Sequence, residues 1–238
     1  RPLDPDAPVV VASLQTVAAR LRRGIPLDDL LGTPGLIVAD EAHNTAFQDT
    51  YLAIEAHYLS RGSIFLGLTA TPWRLSKKEW LGQRFDALVV GPQPPDIIKM
   101  GGAVPCRGFT LTGALDLDKL QVRRGDFVDS DISKQATRPE ALAYVVGEWL
   151  RLASDRPTLM VGATVHQADQ TCQAFNKAGI PAELIIGSTS MGDRRAIFER
   201  VDAGTTRVIC SVGCLTAGFN LPCLEAILYV RATKSKAL

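Results

Sequence analysis

Short runs of consecutive apolar residues, many of them β-branched, alternate with helical patterns along this chain, and this alternation constrains the fold more than any other feature. A strand that is apolar at every position is expected to be buried on both faces, as in a parallel sheet covered by helices. The sequence therefore predicts the α/β fold class. The predicted strands cover residues 9–12, 36–39, 64–68, 158–161, 208–210 and 226–230.

Helices are predicted where apolar residues recur at intervals of three and four. One begins near Pro139 and carries Trp149 on its apolar stripe, and a second covers about 167–177. A third follows Ser190, which has the spacing of a capping box with the residue three positions later. The second and the third are interpreted as scaffold rather than as site.

The apolar pattern degrades between about 91 and 138, where prolines, paired glycines and a polar stretch show no sustained period. Such a stretch is typical of a crossing between domains. The sequence thus predicts a first domain over 1–105, a linker over 106–138 and a second domain over 139–238.

Composition excludes several classes of protein without naming a partner. The net charge is +1, which leaves room for a locally basic groove but does not by itself predict nucleic-acid binding. The five cysteines form no paired C-x-x-C framework, so Cys210 and Cys214 are interpreted as buried thiols rather than metal ligands. No apolar run approaches the roughly 20 residues that cross a bilayer, and a soluble, cytoplasmic protein without a membrane partner is predicted.

Two adjacent acids, Asp40 and Glu41, follow directly on the predicted strand 36–39 and form the strongest chemical signal in the sequence. Ligands of open α/β sheets bind outside the carboxyl ends of strands, where these acids would meet Mg²⁺ bound to phosphate. Because neighbouring side chains of an extended backbone point in different directions, one acid can face the metal while the other addresses a water. The alternative is that the pair starts a solvated loop or caps a helix.

The residues Asp40-Glu41-Ala42-His43 resemble motif II, the Walker B box, of the DEAD/DEAH-box helicases of superfamily 2. Downstream, Thr69 and Thr71 lie in a Thr-Ala-Thr-Pro segment that is similar to motif III of that family. The resemblance implies that Asp40 and Glu41 are catalytic and bind Mg²⁺ partly through water, that His43 helps to bind ATP, and that the two threonines couple hydrolysis to domain movement. Without the acids, the threonines would be interpreted as ordinary turn formers.

Other segments resemble the motifs through which the family contacts nucleic acid. Upstream, Gln15 and Thr16 lie in a Ser-Leu-Gln-Thr segment similar to motif Ib, although these residues could equally cap a helix. In the second half, the resemblance implies nucleic-acid contacts by Thr164 in motif IV, by Ser188 before motif V and by Thr216 in motif V, and nucleotide contacts by Gly218 and Asn220. Family members often carry Asp where Asn220 stands.

Two further residues are assigned structural rather than functional roles. His166 is interpreted as a helix-start residue rather than a catalyst, and Trp73 as packing beneath motif III rather than stacking on a base.

Two elements of the family are absent from the sequence. No G-x-x-x-x-G-K-[ST] loop occurs, and the chain stops at 231–235, which looks like the lead-in to motif VI. Both ends are interpreted as cut. Because the missing phosphate cradle and arginines are each worth on the order of thousands-fold in rate, the chain alone is expected to turn over poorly.

The resemblance implies two RecA-like lobes, both incomplete, in an ATP-dependent helicase or translocase that uses ATP and Mg²⁺. Motifs III and V look closest to RadD-like, phage and restriction-type enzymes, which favours DNA over RNA and a role in repair, recombination, phage replication or restriction. The expected location is the cytoplasm of a bacterial or phage-infected cell, at the nucleoid. Two alternatives stay open: a degenerate module that binds nucleic acid without hydrolysis, which the intact acids disfavour, and an interaction scaffold independent of nucleotide.

Overall fold

The computed structural model describes residues 4–72, 79–123, 125–215 and 219–234. Contacts between residues divide the chain into two compact units, one up to Pro105 and the other from Cys106. The division of the chain into two lobes and a linker at 106–138 stays a prediction. None of the described helices combines the length and the apolar composition that crossing a bilayer requires.

The first unit contains a short parallel sheet with helices against it. Strands β1 and β2 pair in parallel, with Leu36 opposite Ile64 and Ala39 opposite Gly67. The elements are α1 (Leu14–Leu21), α2 (Leu27–Leu31), β1 (Leu36–Ala39), α3 (Ala42–Thr45), α4 (Asp49–Leu59), β2 (Ile64–Gly67), a 3-10 turn (Leu81–Gln83) and α5 (Pro94–Lys99).

Helices α1, α2 and α4 bury their apolar residues in one core beside this sheet. Its buried members include Val17 of α1, Leu30 of α2 and the pair Ile54 and Tyr58 of α4, and Ile37 and Phe65 of the strands pack against them. The Tyr58 hydroxyl donates to the carbonyl of Gly32, so the one polar atom of that ring is satisfied. Packing against this core fixes the position of β1 and therefore the position of the residues that follow the strand.

Two expectations for the first unit are wrong. Residues 9–12 are not a strand: Val9 and Val11 are exposed, and no described residue pairs with them. The strands β1 and β2 are buried on one face only, since Leu36 is 53% and Ile64 is 67% exposed. An apolar run forms a strand only where a neighbouring strand supplies hydrogen bonds, and the described residues supply none to 9–12. A strand is buried on both faces only where other elements cover both, and one face of β1 and β2 is not covered in the described part of this unit.

An ion pair between α2 and α4 gives a prediction for low pH. The guanidinium of Arg61 lies 2.7 Å from Asp28 Oδ1 and the ring of His57 lies 2.9 Å from it. These hydrogen bonds, that of Arg61 first, lower the pKa of Asp28 from 3.8 to about 2. A depressed carboxyl pKa contributes stability that is present above the unfolded value and lost as the pH falls towards the folded value.

We therefore expect Asp28→Asn to flatten the decline of the urea unfolding midpoint between pH 5 and pH 2. The neighbouring exposed residue on α2 provides the control, Asp29→Asn, which should keep the decline of the wild type. Equal slopes for Asp28→Asn and the wild type would contradict the assignment.

The second unit contains a four-stranded parallel sheet in the order β6-β7-β5-β8. Its elements are a 3-10 turn (Leu117–Lys119), β3 (Val122–Arg123), β4 (Asp126–Phe127), α6 (Asp129–Ala136), α7 (Pro139–Ala153), β5 (Thr158–Gly162), α8 (Val165–Lys177), β6 (Ala182–Ile185), α9 (Met191–Asp202), β7 (Val208–Ser211) and β8 (Ala226–Val230). Strands β3 and β4 form a separate antiparallel hairpin.

Helices cover both faces of this sheet at β5 and β7, whereas β8 is exposed on one face, at Ile227 and Tyr229, so the expected burial of 226–230 on both faces is wrong. On one face Met160 and Cys210 pack with Trp149 of α7 and Phe175 of α8. On the other face Leu159, Ile185 and Ile209 pack with residues of α9. Every residue of β5 and β7 is buried, as consecutive apolar runs predict for central parallel strands. The α/β fold class with parallel sheets is confirmed.

The three predicted helices and the last three predicted strands are present, while the stretch between 91 and 138 is more ordered than its sequence indicates. It contains α5, the β3–β4 hairpin and α6, whose Ile132 is fully buried. Helix α6 was missed because its 8 residues are mostly polar, so that tertiary burial of a few positions rather than an apolar period supports it. Strand β6 was also missed, because Glu183 interrupts its apolar run.

Candidate functional site

The acidic pair lies at the carboxyl end of β1. Asp40 is the first residue after the strand and Glu41 the next, and both side chains are exposed. Oδ1 of Asp40 accepts the backbone N–H of Glu41 at 2.9 Å. The carboxylate of Glu41 makes no cap bond to the helix that follows. The alternative that the pair caps a helix therefore accounts for neither side chain.

The backbone at Glu41 differs from the extended form that the sequence predicts. It is left-handed, with φ 49° and ψ 47°, so the chain turns sharply between β1 and α3. Two hydrogen bonds fix the turn: Ala42 N–H donates to the Leu68 carbonyl at 2.9 Å, and the Thr45 hydroxyl donates to the Asp40 carbonyl at 2.7 Å. A non-glycine residue in this region costs about 1 kcal/mol or more, and such strain concentrates at functional positions.

His43 and Thr69 connect the two strand ends. Asn44 Nδ2 lies 3.0 Å from His43 Nε2, so the amide donates there and Nδ1 carries the ring hydrogen. Nδ1 donates to Thr69 Oγ1 at 2.9 Å and lies 3.4 Å from Glu41 Oε2. Thr69 in turn donates to the Thr71 carbonyl at 3.2 Å and accepts the Thr71 N–H at 3.1 Å. The structure thus brings Glu41, His43, Thr69 and Thr71 together.

Replacing the central hydroxyl should weaken this connection. In Thr69→Val the shape is kept but the half-buried Nδ1–H of His43 loses its nearest acceptor, so the free energy of unfolding should fall by about 1–2 kcal/mol. Urea denaturation measures this. Thr33→Val, at an exposed position before Pro34, is the control and should change stability by less than about 0.5 kcal/mol. Equal stabilities for the two variants would contradict the network.

The donor chemistry of the acidic pair fits Mg²⁺. This ion prefers oxygen ligands, keeps several waters, and is usually held by one or two carboxylates together with substrate phosphates. Asp40 and Glu41 offer that number of carboxylates at an exposed strand end. Among the described residues, no group of three or more His, Cys, Asp or Glu side chains is placed to hold a metal ion.

The candidate nucleic-acid residues of the first unit lie in the first turn of α1. Ser13 caps this helix, because its hydroxyl accepts the N–H of Thr16 at 3.2 Å. The two hydroxyls of Ser13 and Thr16 also contact each other at 2.9 Å. The capping alternative therefore describes Ser13, while Gln15 and Thr16 are exposed and stand beside the cap.

In the second unit the candidate residues occupy loops beyond the strands. Thr164 caps α8 by accepting the N–H of Gln167 at 3.1 Å, and its hydroxyl donates to Ser133 at 2.7 Å. Ser188 and Asn220 are exposed. Arg194 shapes the turn around Ser188 by donating to backbone carbonyls on either side of it. Thr216 and Gly218 lie outside the described residues, as does Trp73.

His166 and the cysteines have structural settings. His166 is exposed in the first turn of α8, as predicted for a helix-start residue. Cys210 is buried, and burial raises the pKa of its thiol. Cys214 is only half-buried, so the predicted full burial is wrong there; its sulfur lies 3.2 Å from the Ser211 hydroxyl. The loop after β7 leaves it partly open.

The sequence interpretation missed Gln167, which is fully buried. Its Oε1 accepts the N–H of Ala163 at 2.8 Å, and its Nε2 donates to the carbonyl of Val230 at 2.7 Å. The spacing of Thr164 and Gln167 is that of a capping box, a signal that could have found this residue. The amide joins the ends of β5 and β8.

Two family models match the chain. The helicase conserved C-terminal domain matches residues 138–237, and the type III restriction enzyme res subunit matches residues 3–74. Together they cover more than half of the sequence. These matches support a superfamily 2 helicase core in this chain. This assignment agrees with the family resemblance of the DEAH residues at the end of β1.

Individual relatives are distant. A 51.5 kDa protein of a Lactococcus phage is 27% identical over 88% of this chain and 45% of its own length. IRC3 of Saccharomyces cerevisiae, named as a candidate ATP-dependent helicase, is 24% identical over 98% of this chain and 34% of its own. The Hef helicase domain of Pyrococcus furiosus is 14% identical, with a TM-score of 0.42 over 93% of this chain and 70% of that one. The chain thus spans a third to a half of the curated relatives.

Proposed function

We propose that the protein containing this chain is an ATP-dependent helicase or translocase that acts on nucleic acid. One observation carries the proposal: Asp40 and Glu41 are exposed at the carboxyl end of β1, and His43 connects Glu41 to Thr69 at the end of the neighbouring strand. Because hydrogen bonds connect the acidic pair to the end of β2, a change in the bound nucleotide can be transmitted to the rest of the first unit. The matches to two helicase-type family models support the same activity.

Each residue of the pair has a separate proposed role. Asp40 holds the metal that accompanies ATP, and that Mg²⁺ ion would supply neutralisation of phosphate charge. Glu41 accepts a proton from the attacking water, since its carboxylate is exposed and makes no cap bond. His43 orients Glu41 from 3.4 Å and relays its position to Thr69 and Thr71. Gly218 and Asn220 are proposed to contact the nucleotide.

The two units are proposed to act as RecA-like lobes over 1–105 and 139–238, joined by the linker 106–138. Nucleic acid would lie against the exposed first turn of α1, at Gln15 and Thr16, and against the loops that carry Thr164, Ser188 and Thr216. Small polar residues at strand and helix ends suit contacts to phosphate and sugar, which position a strand without reading its sequence.

DNA is the proposed substrate, in repair, recombination, phage replication or restriction within a bacterial or phage-infected cytoplasm. Support comes from the form of motifs III and V, from the match to a restriction-enzyme subunit model and from the phage relative. This finer assignment is separable from the motor activity, because both DNA and RNA motors use the same acidic pair.

The test of the substrate is ATP hydrolysis by the full-length gene product with saturating single-stranded DNA, double-stranded DNA or RNA of matched length. We expect either form of DNA to stimulate hydrolysis at least about tenfold more than RNA. Contacts to the correct backbone lower the activation barrier for ATP hydrolysis, and an RNA backbone would not make all of these contacts. Greater stimulation by RNA would reassign the substrate and leave the motor intact. Binding of DNA without hydrolysis would favour the degenerate binding module.

A further inference from the structure

Two loops of the second unit leave the same edge of the sheet side by side. Strands β5 and β8 are parallel neighbours with Gly162 opposite Val230, so the residues after each strand emerge together. The buried amide of Gln167 bridges them, with one bond to Ala163 and one to the Val230 carbonyl. The loop after β5 carries Thr164, and the segment after β8 covers 231–234. Ligands of parallel sheets bind at this edge.

The β3–β4 hairpin holds the segment 231–234 through a single carboxylate. Asp126 accepts the backbone N–H of Lys234 at 2.8 Å through Oδ1 and the hydroxyl of Thr233 at 2.9 Å through Oδ2. The ammonium of Lys234 lies 5.1 Å from the ring centroid of Phe127, the next residue on β4. Three contacts thus converge on two consecutive residues beyond β8.

Helix α6, which follows the hairpin, contacts both loops with one face. Asp129 and Ser133 are four residues apart and therefore share a face of the helix. Asp129 lies 3.4 Å from Arg231 Nε, and Ser133 accepts the hydroxyl of Thr164 at 2.7 Å. The hairpin and α6 therefore connect the loop after β5 to the segment 231–234.

The electrostatics agree with this geometry. The N–H of Lys234, followed by the Thr233 hydroxyl, lowers the pKa of Asp126 below its ordinary value. The carboxyl is therefore ionised at neutral pH, and hydrogen bonds to an ionised acceptor are stronger than those between neutral groups.

We propose that Asp126 is a positioning residue: it fastens 231–234 against β4, beside Thr164, in the place that nucleic-acid-stimulated ATP hydrolysis requires. The kinetic part of this proposal rests on the proposed motor function. The positional part rests on the contacts of Asp126 alone. A residue that positions a segment at this edge acts on turnover rather than on the binding of ATP or nucleic acid.

The experiment compares Asp126→Ala, Asp126→Asn and the wild type as full-length gene product. The asparagine can still accept through Oδ1 and can donate to the Thr233 hydroxyl, whereas the alanine leaves both partners without it. In Asp126→Ala, amide hydrogen exchange of the peptide containing Lys234 should become at least about tenfold faster, because a hydrogen bond to a charged group is lost. Asp118→Ala, exposed on the 3-10 turn, is the control and should exchange like the wild type.

The kinetic arm measures nucleic-acid-stimulated hydrolysis in the same variants. In Asp126→Ala, kcat should fall by roughly tenfold, while KM for ATP and Kd for nucleic acid stay within about twofold, and Asp126→Asn should recover most of the rate. An equal urea midpoint for the variants separates this result from general destabilisation. Unchanged exchange at Lys234, or faster exchange with unchanged kcat, would overturn the proposal.

The two proposals fail in different ways. If the wild type hydrolyses no ATP while exchange at Lys234 rises in Asp126→Ala, the motor function is wrong and the positioning of 231–234 by Asp126 is supported. If the wild type hydrolyses ATP and exchange does not respond, the motor function stands and Asp126 has no positioning role.

Discussion

Glu41→Gln is expected to abolish most nucleic-acid-stimulated ATP hydrolysis, with a fall in kcat of roughly 10²- to 10⁴-fold. The amide keeps the size of the carboxylate but cannot accept a proton from water. Glutamine tolerates the left-handed backbone of this position as glutamate does, so the strained turn between β1 and α3 should persist. ATP and nucleic-acid affinities should stay within about threefold, because the lost group acts in the transition state.

The control for this result is Glu225→Gln, which makes the same chemical change at an exposed glutamate of the second unit. Its hydrolysis rate should match the wild type. Equal rates for Glu41→Gln and the wild type would remove Glu41 from the chemistry. A parallel loss of rate and of the urea unfolding midpoint would instead point to damage of the turn.

Trp149→Ala is expected to lower the free energy of unfolding by about 3–5 kcal/mol, the largest stability effect that we predict. The side chain is 4% exposed and packs edge-on against Phe175, with ring centroids 5.5 Å apart. Its indole N–H donates to the Thr158 hydroxyl at 2.8 Å, which attaches α7 to the start of β5. Truncation would therefore open a cavity and remove a buried hydrogen bond together.

The neighbouring residue provides a matched control. Leu150 follows Trp149 on α7 but is 48% exposed, so Leu150→Ala should cost less than about 1 kcal/mol. Both values come from urea denaturation followed by circular dichroism. A cost below about 1.5 kcal/mol for Trp149→Ala would show that the core on this face of the sheet is not packed as described.

Sequence patterns predict this fold best where local and tertiary requirements coincide. Strands β5 and β7 are central, so every residue is covered and a continuous apolar run is the correct signal. Helix α9 begins at Met191, directly after Ser190, where the predicted cap bond forms: the Ser190 hydroxyl accepts the Asp193 N–H at 3.1 Å.

The patterns fail where neighbours decide the structure. The apolar residues 9–12 resemble a strand, but a strand exists only by pairing, and the described residues offer no partner. Helix α6 is the opposite case, a helix that forms although its polar sequence shows no helical period. Its residues Ile132 and Ala136 are buried against other elements. A local pattern contains no information about such distant contacts.

The candidate site likewise has features that the sequence predicts and features that depend on distant residues. The position of Asp40 and Glu41 follows from the strand that precedes them, and it was predictable. The left-handed turn at Glu41 was not, because hydrogen bonds from Ala42 to Leu68 and from Thr45 impose it. Likewise, the role of Asp126 depends on residues more than 100 positions away, a separation at which no sequence period operates.

The most direct measurement of the central claim is ATP hydrolysis by the wild-type, full-length gene product with Mg²⁺, in the absence and presence of DNA. If the acidic pair at the end of β1 is the site of a nucleic-acid motor, hydrolysis should rise at least about tenfold when DNA is added, since the nucleic acid completes the productive arrangement. DNA binding with no hydrolysis above background would contradict that account and assign the chain to a non-hydrolysing nucleic-acid-binding module.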